Sequence, residues 1–277
     1  MNIAIQGIKG SFHDIAASEF FGGNIILREC NSFAEIPDLI TNNIVDSGIM
    51  AIENSIAGAI MPNYHLIDSH NLSVCGEIYL PMIHNLMALK GQDLKGIKEV
   101  RSHPMAIQHC QQFLRKYPDV KIIEDYDTAT VAKIISEDKI EGVAAIASKK
   151  AAEIYNLEIL EEEIQADALN MTRYFILKKH RRYHLKDYLN NKASLKFIGS
   201  HEMGSLIEVL TVLKKHELNL SKIQSMPIIK EPWNYAFFID VIFNDYQKYC
   251  QALIILEKKV NELKILGEYP QNKPIFN

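Results

Sequence analysis

Gly48-Ile49-Met50-Ala51-Ile52 is a short apolar run that ends directly in the polar cluster Glu53-Asn54-Ser55. An apolar run of this length, bounded by polar residues, is typical of a buried β-strand. The same pattern recurs along residues 1–178, where short apolar strands end in small polar clusters and helices follow. Strands that alternate with helices predict an α/β fold with largely parallel sheets.

Four further polar clusters follow predicted strands in the same way. They are Gly10-Ser11 after residues 3–5, Ser102-His103 after residues 97–100, Asp127-Thr128 after residues 122–123, and Ser148 after residues 143–147. Ligands of α/β folds bind beyond the carboxyl ends of the strands, where helix N-termini offer unpaired N–H groups and favour anions. These clusters therefore predict a pocket for a small molecule with several negative charges. Every helix also needs an N-cap, and most of these Ser, Thr and Asp residues are expected to be caps.

Asn170-Met171-Thr172-Arg173-Tyr174 stands at the edge of a further apolar run, Phe175-Ile176-Leu177. The stretch groups an amide, a hydroxyl and a guanidinium, and burying such groups is costly unless each finds a partner. Crossings of the chain near Leu80-Pro81 and Ala166-Asp167 predict two lobes joined by a hinge. Thr172 is then expected near that hinge, beside a cleft lined by polar clusters from both lobes.

The composition argues against several functional classes. Hydrophobic residues are 48% and charged residues 23%, with a formal net charge of −4, which disfavours a general binder of nucleic acid or membrane surfaces. The four cysteines form no CxxC pair, so their spacing predicts neither a metal site nor a disulfide framework. No apolar run approaches the roughly 18 residues that span a membrane, and no signal-peptide pattern is present. We therefore expect a cytoplasmic protein.

A different pattern begins at Ala193 and predicts a βαββαβ unit of the ferredoxin-like type. It carries no acid/base cluster, so we expect a regulatory or oligomerising role, with a second copy pairing at the sheet edge. The basic run from Lys178 to His184 predicts a solvated linker. The predicted domains are residues 1–180, with a second lobe at about 81–165, a linker at 181–192, and a C-terminal domain at 193–277.

Six short motifs occur in order along the first domain: Gly10-Ser11-Phe12, Ile52-Glu53-Asn54-Ser55, Ser102-His103-Pro104, Thr128-Ala129, Ala144-Ala145-Ile146-Ala147-Ser148 and Asn170-Met171-Thr172-Arg173-Tyr174. With them, the whole chain resembles a bacterial prephenate dehydratase followed by an ACT regulatory domain. The resemblance implies a two-lobed catalytic domain similar to type 2 periplasmic binding proteins. It also implies that prephenate is converted into phenylpyruvate, water and carbon dioxide, a reaction that aromatisation drives and that needs no cofactor.

The candidate site residues follow from the resemblance and from the chemistry. The resemblance implies a catalytic Thr172, whose hydroxyl is expected to donate toward the leaving oxygen. Because a threonine hydroxyl is a poor acid at neutral pH, we expect hydrogen bonding rather than full proton transfer. The guanidinium of Arg173 matches a substrate carboxylate, and His103 and Glu53 are alternative acids. The further residues predicted to bind substrate are Ser11, Asn54, Ser55, Ser102, His103, Thr128 and Asn170.

In the C-terminal part, the resemblance implies that phenylalanine binds at ACT dimer interfaces and inhibits the enzyme. The family motif usually reads Glu-Ser-Arg-Pro, whereas this chain has Gln224-Ser225-Met226-Pro227 and lacks both charges. The residues predicted to bind phenylalanine are Gly204, Ser205, Leu206, Asn219, Leu220, Gln224, Ser225, Met226 and Pro227.

Two alternatives stay open at this point. A dehydratase of arogenate, the amino analogue of prephenate, would differ only in its preference for an amino or a keto group. A non-catalytic sensor of a small acid would use the same fold without the chemistry, because fold does not imply function. The expected partners are prephenate, L-phenylalanine and further copies of the chain in a dimer or tetramer, with no metal, nucleic acid or membrane.

Overall fold

The computed structural model describes residues 1–180, 189–200, 202–228 and 234–273. Within these ranges the strands form three sheets, of six, five and four strands, and helices lie between them in sequence. The α/β fold class predicted from the sequence is therefore confirmed. None of the helices in the described part of the chain is long and apolar enough to cross a membrane.

The described residues divide into two compact units. One unit contains residues 1–58 and 79–174, and the other contains residues 59–78 and 175–273. The second unit therefore joins a segment from the early part of the chain to the C-terminal residues. The domain boundaries expected from the sequence stay predictions.

The elements up to residue 179 alternate between strands and helices. In chain order they are β1 (Asn2–Gln6), α1 (Phe12–Phe21), β2 (Ile26–Cys30), α2 (Glu35–Thr41), β3 (Ser47–Asn54), β4 (Gly58–Ala59), α3 (Met61–Ser69), β5 (Leu72–Pro81), β6 (Asn85–Ala88), β7 (Glu99–Ser102), α4 (Pro104–His109), α5 (Gln111–Leu114), β8 (Lys121–Glu124), α6 (Thr128–Glu137), β9 (Val143–Ala147), α7 (Lys149–Ile154), β10 (Glu158–Glu161) and β11 (Met171–Lys179). A 3₁₀ turn, Leu94–Gly96, precedes β7.

Two of the sheets are built from these strands. The first has the order β2-β1-β3-β11-β5, with β4 paired to β3, and β1 runs parallel to β2 and β3. The second has the order β10-β6-β9-β7-β8, and β7 runs parallel to β8 and β9, whereas β6 is antiparallel to β9 and β10. Because β3 and β11 are neighbours, the end of β3 at Asn54 lies beside the start of β11 at Met171.

Side-chain caps explain where the helices begin. Ser11 Oγ accepts a hydrogen bond from Asp14 N at 3.2 Å, and the Asp14 carboxylate accepts one from Gly10 N at 2.8 Å. This reciprocal arrangement satisfies two N–H groups that the helix itself leaves unpaired. Asp127 and Ser148 cap α6 and α7 with their side-chain oxygens. Four of the five polar clusters that follow strands thus cap a helix, as the sequence predicts, whereas Glu53-Asn54-Ser55 is followed by β4 and caps none.

Gly10 allows the N-terminus of α1 to touch α7. Its φ is +87°, and a Cβ at this position would lie 2.9 Å from Ala151 Cα. Ser148 Oγ donates to the Gly10 carbonyl oxygen at 2.6 Å. A residue with a side chain would be strained in this backbone conformation and would also overlap Ala151. The contact therefore depends on the absence of a side chain at residue 10.

The C-terminal elements form the predicted βαββαβ unit. The strand order of its sheet is β13-β14-β12-β15, and all three neighbouring pairs are antiparallel. Of the predicted linker 181–192, residues 181–188 lie outside the described residues, and Lys192 opens the first strand. The elements are β12 (Lys192–Ile198), α8 (Ser205–Lys215), β13 (Asn219–Pro227), β14 (Tyr235–Ile242), α9 (Tyr246–Glu257) and β15 (Glu262–Tyr269).

The two faces of this sheet have different partners. On one face, Leu195 and Ile239 pack in a hydrophobic core with Val209 of α8 and Tyr249 of α9. Successive side chains of a strand point to opposite faces, so the side chain of Lys192 points to the other face of the sheet. That face packs against residues 59–78, which contribute α3 and most of β5.

Ion pairs join this second face to residues 59–78. Lys192 Nζ lies 2.8 Å from Glu77 Oε2, and both side chains are almost fully buried. Lys196 Nζ lies 2.8 Å from Asp68, whose carboxylate also accepts a hydrogen bond from Lys264 Nζ at 2.7 Å. These two lysines lower the pKa of Asp68 against the opposing effect of its burial. Residues 59–78 and the C-terminal sheet thus share an interface with one buried ion pair and further partly buried ones.

Candidate active site

Asn54 is the centre of a buried polar cluster where β3 ends and β11 begins. Its Nδ2 donates to Asn170 Oδ1 at 2.7 Å, to Thr172 Oγ1 at 3.1 Å and to the Met171 carbonyl oxygen at 3.2 Å. The side chains of Asn54, Asn170 and Thr172 are all buried. Asn54 therefore directly contacts two other residues that the sequence predicted to meet substrate, Asn170 and Thr172.

The contact with Asn54 determines in which direction the Thr172 hydroxyl can donate. Asn54 Nδ2 can only donate, so the Thr172 oxygen accepts from it, and the Thr172 proton is directed away from Asn54. Tyr174 lies on the same face of β11 and is hydrogen-bonded to Thr172, while burial raises the pKa of Tyr174 well above its usual value. The ring of His13 packs edge-on against Tyr174, with 4.9 Å between the centroids. Thr172 thus sits in a buried environment beside two buried aromatic rings.

The side chains of Arg173 and Thr172 point to opposite faces of β11, because successive side chains of a strand alternate. It is 3% exposed, its Nη1 lies 3.6 Å from Glu53 Oε2, and its Cζ lies 5.8 Å from the centroid of the Tyr79 ring. Glu53 and Arg173 therefore lie next to each other and not in the Asn54 cluster. The assignment of Arg173 to a substrate carboxylate stays a prediction.

His109 extends the Asn54 cluster and was not predicted from the sequence. Asn170 Nδ2 lies 2.9 Å from His109 Nδ1, and both residues are buried. One feature of the sequence could have indicated a role for His109. It follows the buried Ala106 by three residues on α4 and so occupies the apolar face of the helix. A histidine in such a position is expected to have a specific partner.

His84 lies next to His109 and was likewise not predicted. The centroids of the two rings are 5.7 Å apart, and Phe12 packs edge-on against His84 at 5.2 Å. Burial lowers the pKa of His84 to about 3, with smaller contributions from His109 and His103. Both imidazoles therefore belong to an apolar environment that keeps them uncharged at neutral pH.

Ser11 and Thr128 lie at the starts of α1 and α6 and are both buried. Ser11 Oγ and Asp127 Oδ1 flank the same glycine, since a Cβ on Gly7 would lie 3.4 Å from the first and 3.5 Å from the second. The structure thus brings Ser11 close to the residue that precedes Thr128. Both helix starts belong to the unit that holds the Asn54 cluster.

The remaining predicted residues have clear structural partners. Ser102 is fully buried and donates to the Ile146 carbonyl oxygen at 2.7 Å, which ties β7 to β9. His103 caps α4, because its Nδ1 accepts from Met105 N at 3.2 Å, and burial lowers its pKa. Ser55 is exposed, and its hydroxyl accepts from Met171 N at 2.9 Å. These contacts explain the positions of all three residues without a ligand.

The residues predicted to bind phenylalanine lie on two elements of the second unit. Gly204 has φ +90° and directly precedes Ser205 and Leu206, the first residues of α8. Asn219 to Pro227 form β13, which is an edge strand of its sheet, and exposed and half-buried side chains alternate along it. The structure thus places one group at a helix start and the other along an open sheet edge.

A comparison with known families decides the classification. The family model described as prephenate dehydratase matches residues 3–182. The chain belongs to the prephenate dehydratase family. It is 32% identical over 277 residues to a bifunctional chorismate mutase/prephenate dehydratase of Enterobacter agglomerans, an alignment that covers 99% of this chain and 71% of that protein. It is 33% identical to arogenate dehydratase/prephenate dehydratase 2 of Arabidopsis thaliana, covering 98% of this chain and 73% of that protein.

Solved structures share the fold of this prephenate dehydratase family member. GqqA, described as a novel type of quorum-quenching acylase, superposes with a TM-score of 0.89 at 24% identity over 98% of each chain. A prephenate dehydratase from Arthrobacter aurescens in complex with L-Phe has a TM-score of 0.85 at 21% identity, over 98% of this chain and 90% of that chain. Both likenesses cover the N-terminal and C-terminal parts together.

Proposed function

We propose that the protein is a prephenate dehydratase. The observation that carries the proposal is the buried cluster of Asn54, Asn170 and Thr172, which lies inside the segment that matches the family. In the reaction, the bond between the ring and its carboxylate breaks and carbon dioxide leaves. The electron pair enters the ring, the bond to the ring hydroxyl breaks, and the hydroxyl leaves as water after gaining a proton.

Thr172 is suited to assist the leaving hydroxyl. Asn54 directs the Thr172 proton away from itself, toward the side on which Tyr174 is its hydrogen-bond partner, so a leaving oxygen that takes the place of Tyr174 there would accept from the Thr172 O–H. A hydrogen bond that strengthens as negative charge develops on the leaving oxygen lowers the barrier, even without full proton transfer. The buried surroundings of Thr172 favour decarboxylation as well, because a carboxylate that is poorly solvated loses carbon dioxide more readily.

Substrate turnover tests this proposal directly. The full-length protein is mixed with prephenate, and phenylpyruvate is measured by its absorbance in alkali. Sustained formation of phenylpyruvate supports the proposal. No turnover, with binding of prephenate retained, would instead support the sensor of a small acid.

Arogenate is a second candidate substrate, supported by the arogenate dehydratase/prephenate dehydratase among the relatives. Dehydration and decarboxylation of arogenate would yield phenylalanine rather than phenylpyruvate. Parallel assays with the two substrates, compared as kcat/KM, establish the preference.

We also propose that the C-terminal βαββαβ unit is an ACT domain through which L-phenylalanine inhibits the enzyme. The support is the fold shared with a prephenate dehydratase solved with L-Phe, together with the open edge strand β13. We expect the domain to mediate a dimer or tetramer. Activity and sedimentation are measured during a titration with phenylalanine, and the proposal fails if neither responds. The cytoplasmic location stays a prediction.

A further inference from the structure

Backbone contacts fix the orientation of the Asn54 amide. Its Oδ1 accepts hydrogen bonds from Ile56 N and Ala57 N, both at 2.9 Å. Turning the amide over would place its NH₂ group against two N–H donors, which is unfavourable in a buried site. The Nδ2 of Asn54 must therefore face Asn170 and Thr172.

The orientation of Asn54 determines that of Asn170, and Asn170 in turn determines the protonation of His109. Because Asn170 Oδ1 accepts from Asn54 at 2.7 Å, its NH₂ group is the part that lies 2.9 Å from His109 Nδ1. An amide NH₂ group only donates, so His109 Nδ1 must accept and can carry no proton. The arrangement therefore requires a neutral His109 with its proton on Nε2.

We propose that His109 is a positioning residue whose neutral form holds Asn170, and through Asn54 the hydroxyl of Thr172, in the active arrangement. A protonated ring would carry an N–H at Nδ1 that faces the NH₂ group of Asn170, and the two donors would repel each other. Asn170 would then turn, and the Asn54 NH₂ group would lose the nearest of its three acceptors, the one at 2.7 Å. The inference rests on the proposed function for its activity readout.

Two other imidazoles face His109. His84 lies beside it from the connection between β5 and β6, and His103 stands at the start of the same helix. Burial, followed by His103, lowers the pKa of His109 below its usual 6.5, while the carboxylates of Asp127 and Glu124 act on His103. Within the described part of the chain, neither His109 Nε2 nor the His84 ring nitrogens have a hydrogen-bond partner. The neutral form thus predominates at neutral pH and is lost as the pH falls through the lowered pKa.

The pH dependence of two variants tests the inference. In His109→Gln, the side-chain oxygen can accept from Asn170 and does not titrate, so we expect most of kcat to remain near pH 8 and the loss of activity toward acid pH to shift or disappear. In His109→Phe, the acceptor is absent, and we expect kcat to fall about tenfold or more at every pH, since small displacements of reacting groups are costly. His216→Gln, in the C-terminal unit, is the matched control and should keep the wild-type profile.

Two results would overturn the inference. One is a wild-type acid profile in His109→Gln, and the other is a wild-type kcat in folded His109→Phe. The ¹⁵N chemical shifts of the histidine rings, assigned by comparison with His109→Gln, give a readout that does not require turnover. They should show His109 protonated at Nε2 near neutral pH, and protonation at Nδ1 would overturn the inference. Absence of prephenate turnover by the wild-type protein would overturn the proposed function alone.

Discussion

Asn54 donates from its side-chain amide to Asn170 at 2.7 Å, although 116 residues separate the two in sequence. The same amide reaches Thr172 at 3.1 Å. Asn54 is itself held by the backbone of the turn after β3, so the position of Thr172 depends on a turn far away in the chain. The adjacency of β3 and β11 in the first sheet is what brings these residues together.

Thr172→Val should remove the proposed hydrogen bond to the leaving oxygen while keeping the shape of the side chain. We expect kcat to fall about 10²–10³-fold, as is common when one donor to a developing charge is lost. Thr211→Val, which removes an exposed hydroxyl on α8, is the control and should retain wild-type kcat. A wild-type kcat in Thr172→Val would remove Thr172 from the mechanism.

Asn54→Asp separates the two functions of Asn54. The carboxylate can still accept from the N–H groups of Ile56 and Ala57, so the turn should persist. It cannot donate to Asn170 or Thr172, and we expect kcat to fall about 10²-fold because the Thr172 hydroxyl is no longer fixed. Steady-state kinetics are compared with thermal unfolding. Equal losses in Asn54→Asp and Asn54→Ala, both with low stability, would point to the turn instead.

Arg173→Lys distinguishes a structural from a substrate-binding role. Lysine keeps the charge but loses the planar group that lies over Tyr79. If Arg173 mainly packs with Tyr79 and Glu53, the midpoint of unfolding in urea should fall while KM changes little. A large increase in KM at unchanged stability would support Arg173 as the partner of the substrate carboxylate.

Gly10→Ala should destabilise the contact between α1 and α7. The positive φ costs about 1–2 kcal/mol for a residue with a side chain, and overlap with Ala151 adds about 1–3 kcal/mol to the loss in the free energy of unfolding. Gly91→Ala is the matched control, because Gly91 also has a positive φ of +83° but a Cβ there meets nothing within 4 Å. Equal losses in the two variants would show that the overlap with Ala151 relaxes without cost.

Glu77→Gln should remove the carboxylate that lies 2.8 Å from the buried ammonium of Lys192. Breaking one side of a buried ion pair typically costs about 3–5 kcal/mol, and urea denaturation measures that loss in the free energy of unfolding. The control is Glu208→Gln, which breaks a surface pair with Lys259 at 2.7 Å. Surface pairs contribute about 0–1 kcal/mol, so this variant should be nearly neutral. Similar small effects in both variants would show that the Glu77 site is open to water.

Local signals in the sequence predicted the strands, the helix caps and the βαββαβ unit. Apolar runs and caps such as Ser11 with Asp14 involve neighbouring residues, so a single sequence contains the information. Because successive side chains of a strand alternate, Thr172 and Arg173 point to opposite faces of β11, although the same sequence motif contains both. That separation follows from the sequence once β11 is recognised as a regular strand.

Contacts between distant residues could not be predicted in the same way. His109 meets Asn170 across 61 residues, and Lys192 meets Glu77 across 115. Neither pair has a local pattern, because each depends on which strands become neighbours and on which face a helix presents. A histidine on an apolar helix face and a lysine at a strand start are visible in the sequence, but their partners are not.

The packing of residues 59–78 against the C-terminal sheet means that the C-terminal part is not a detachable module. A protein cut at the linker would keep Glu77 and Asp68 but lose Lys192, Lys196 and Lys264. It would also expose Tyr64, whose ring packs against Phe238 with 5.1 Å between the centroids. Truncation would thus damage the remaining fragment directly, so its loss of activity would be no measure of lost regulation.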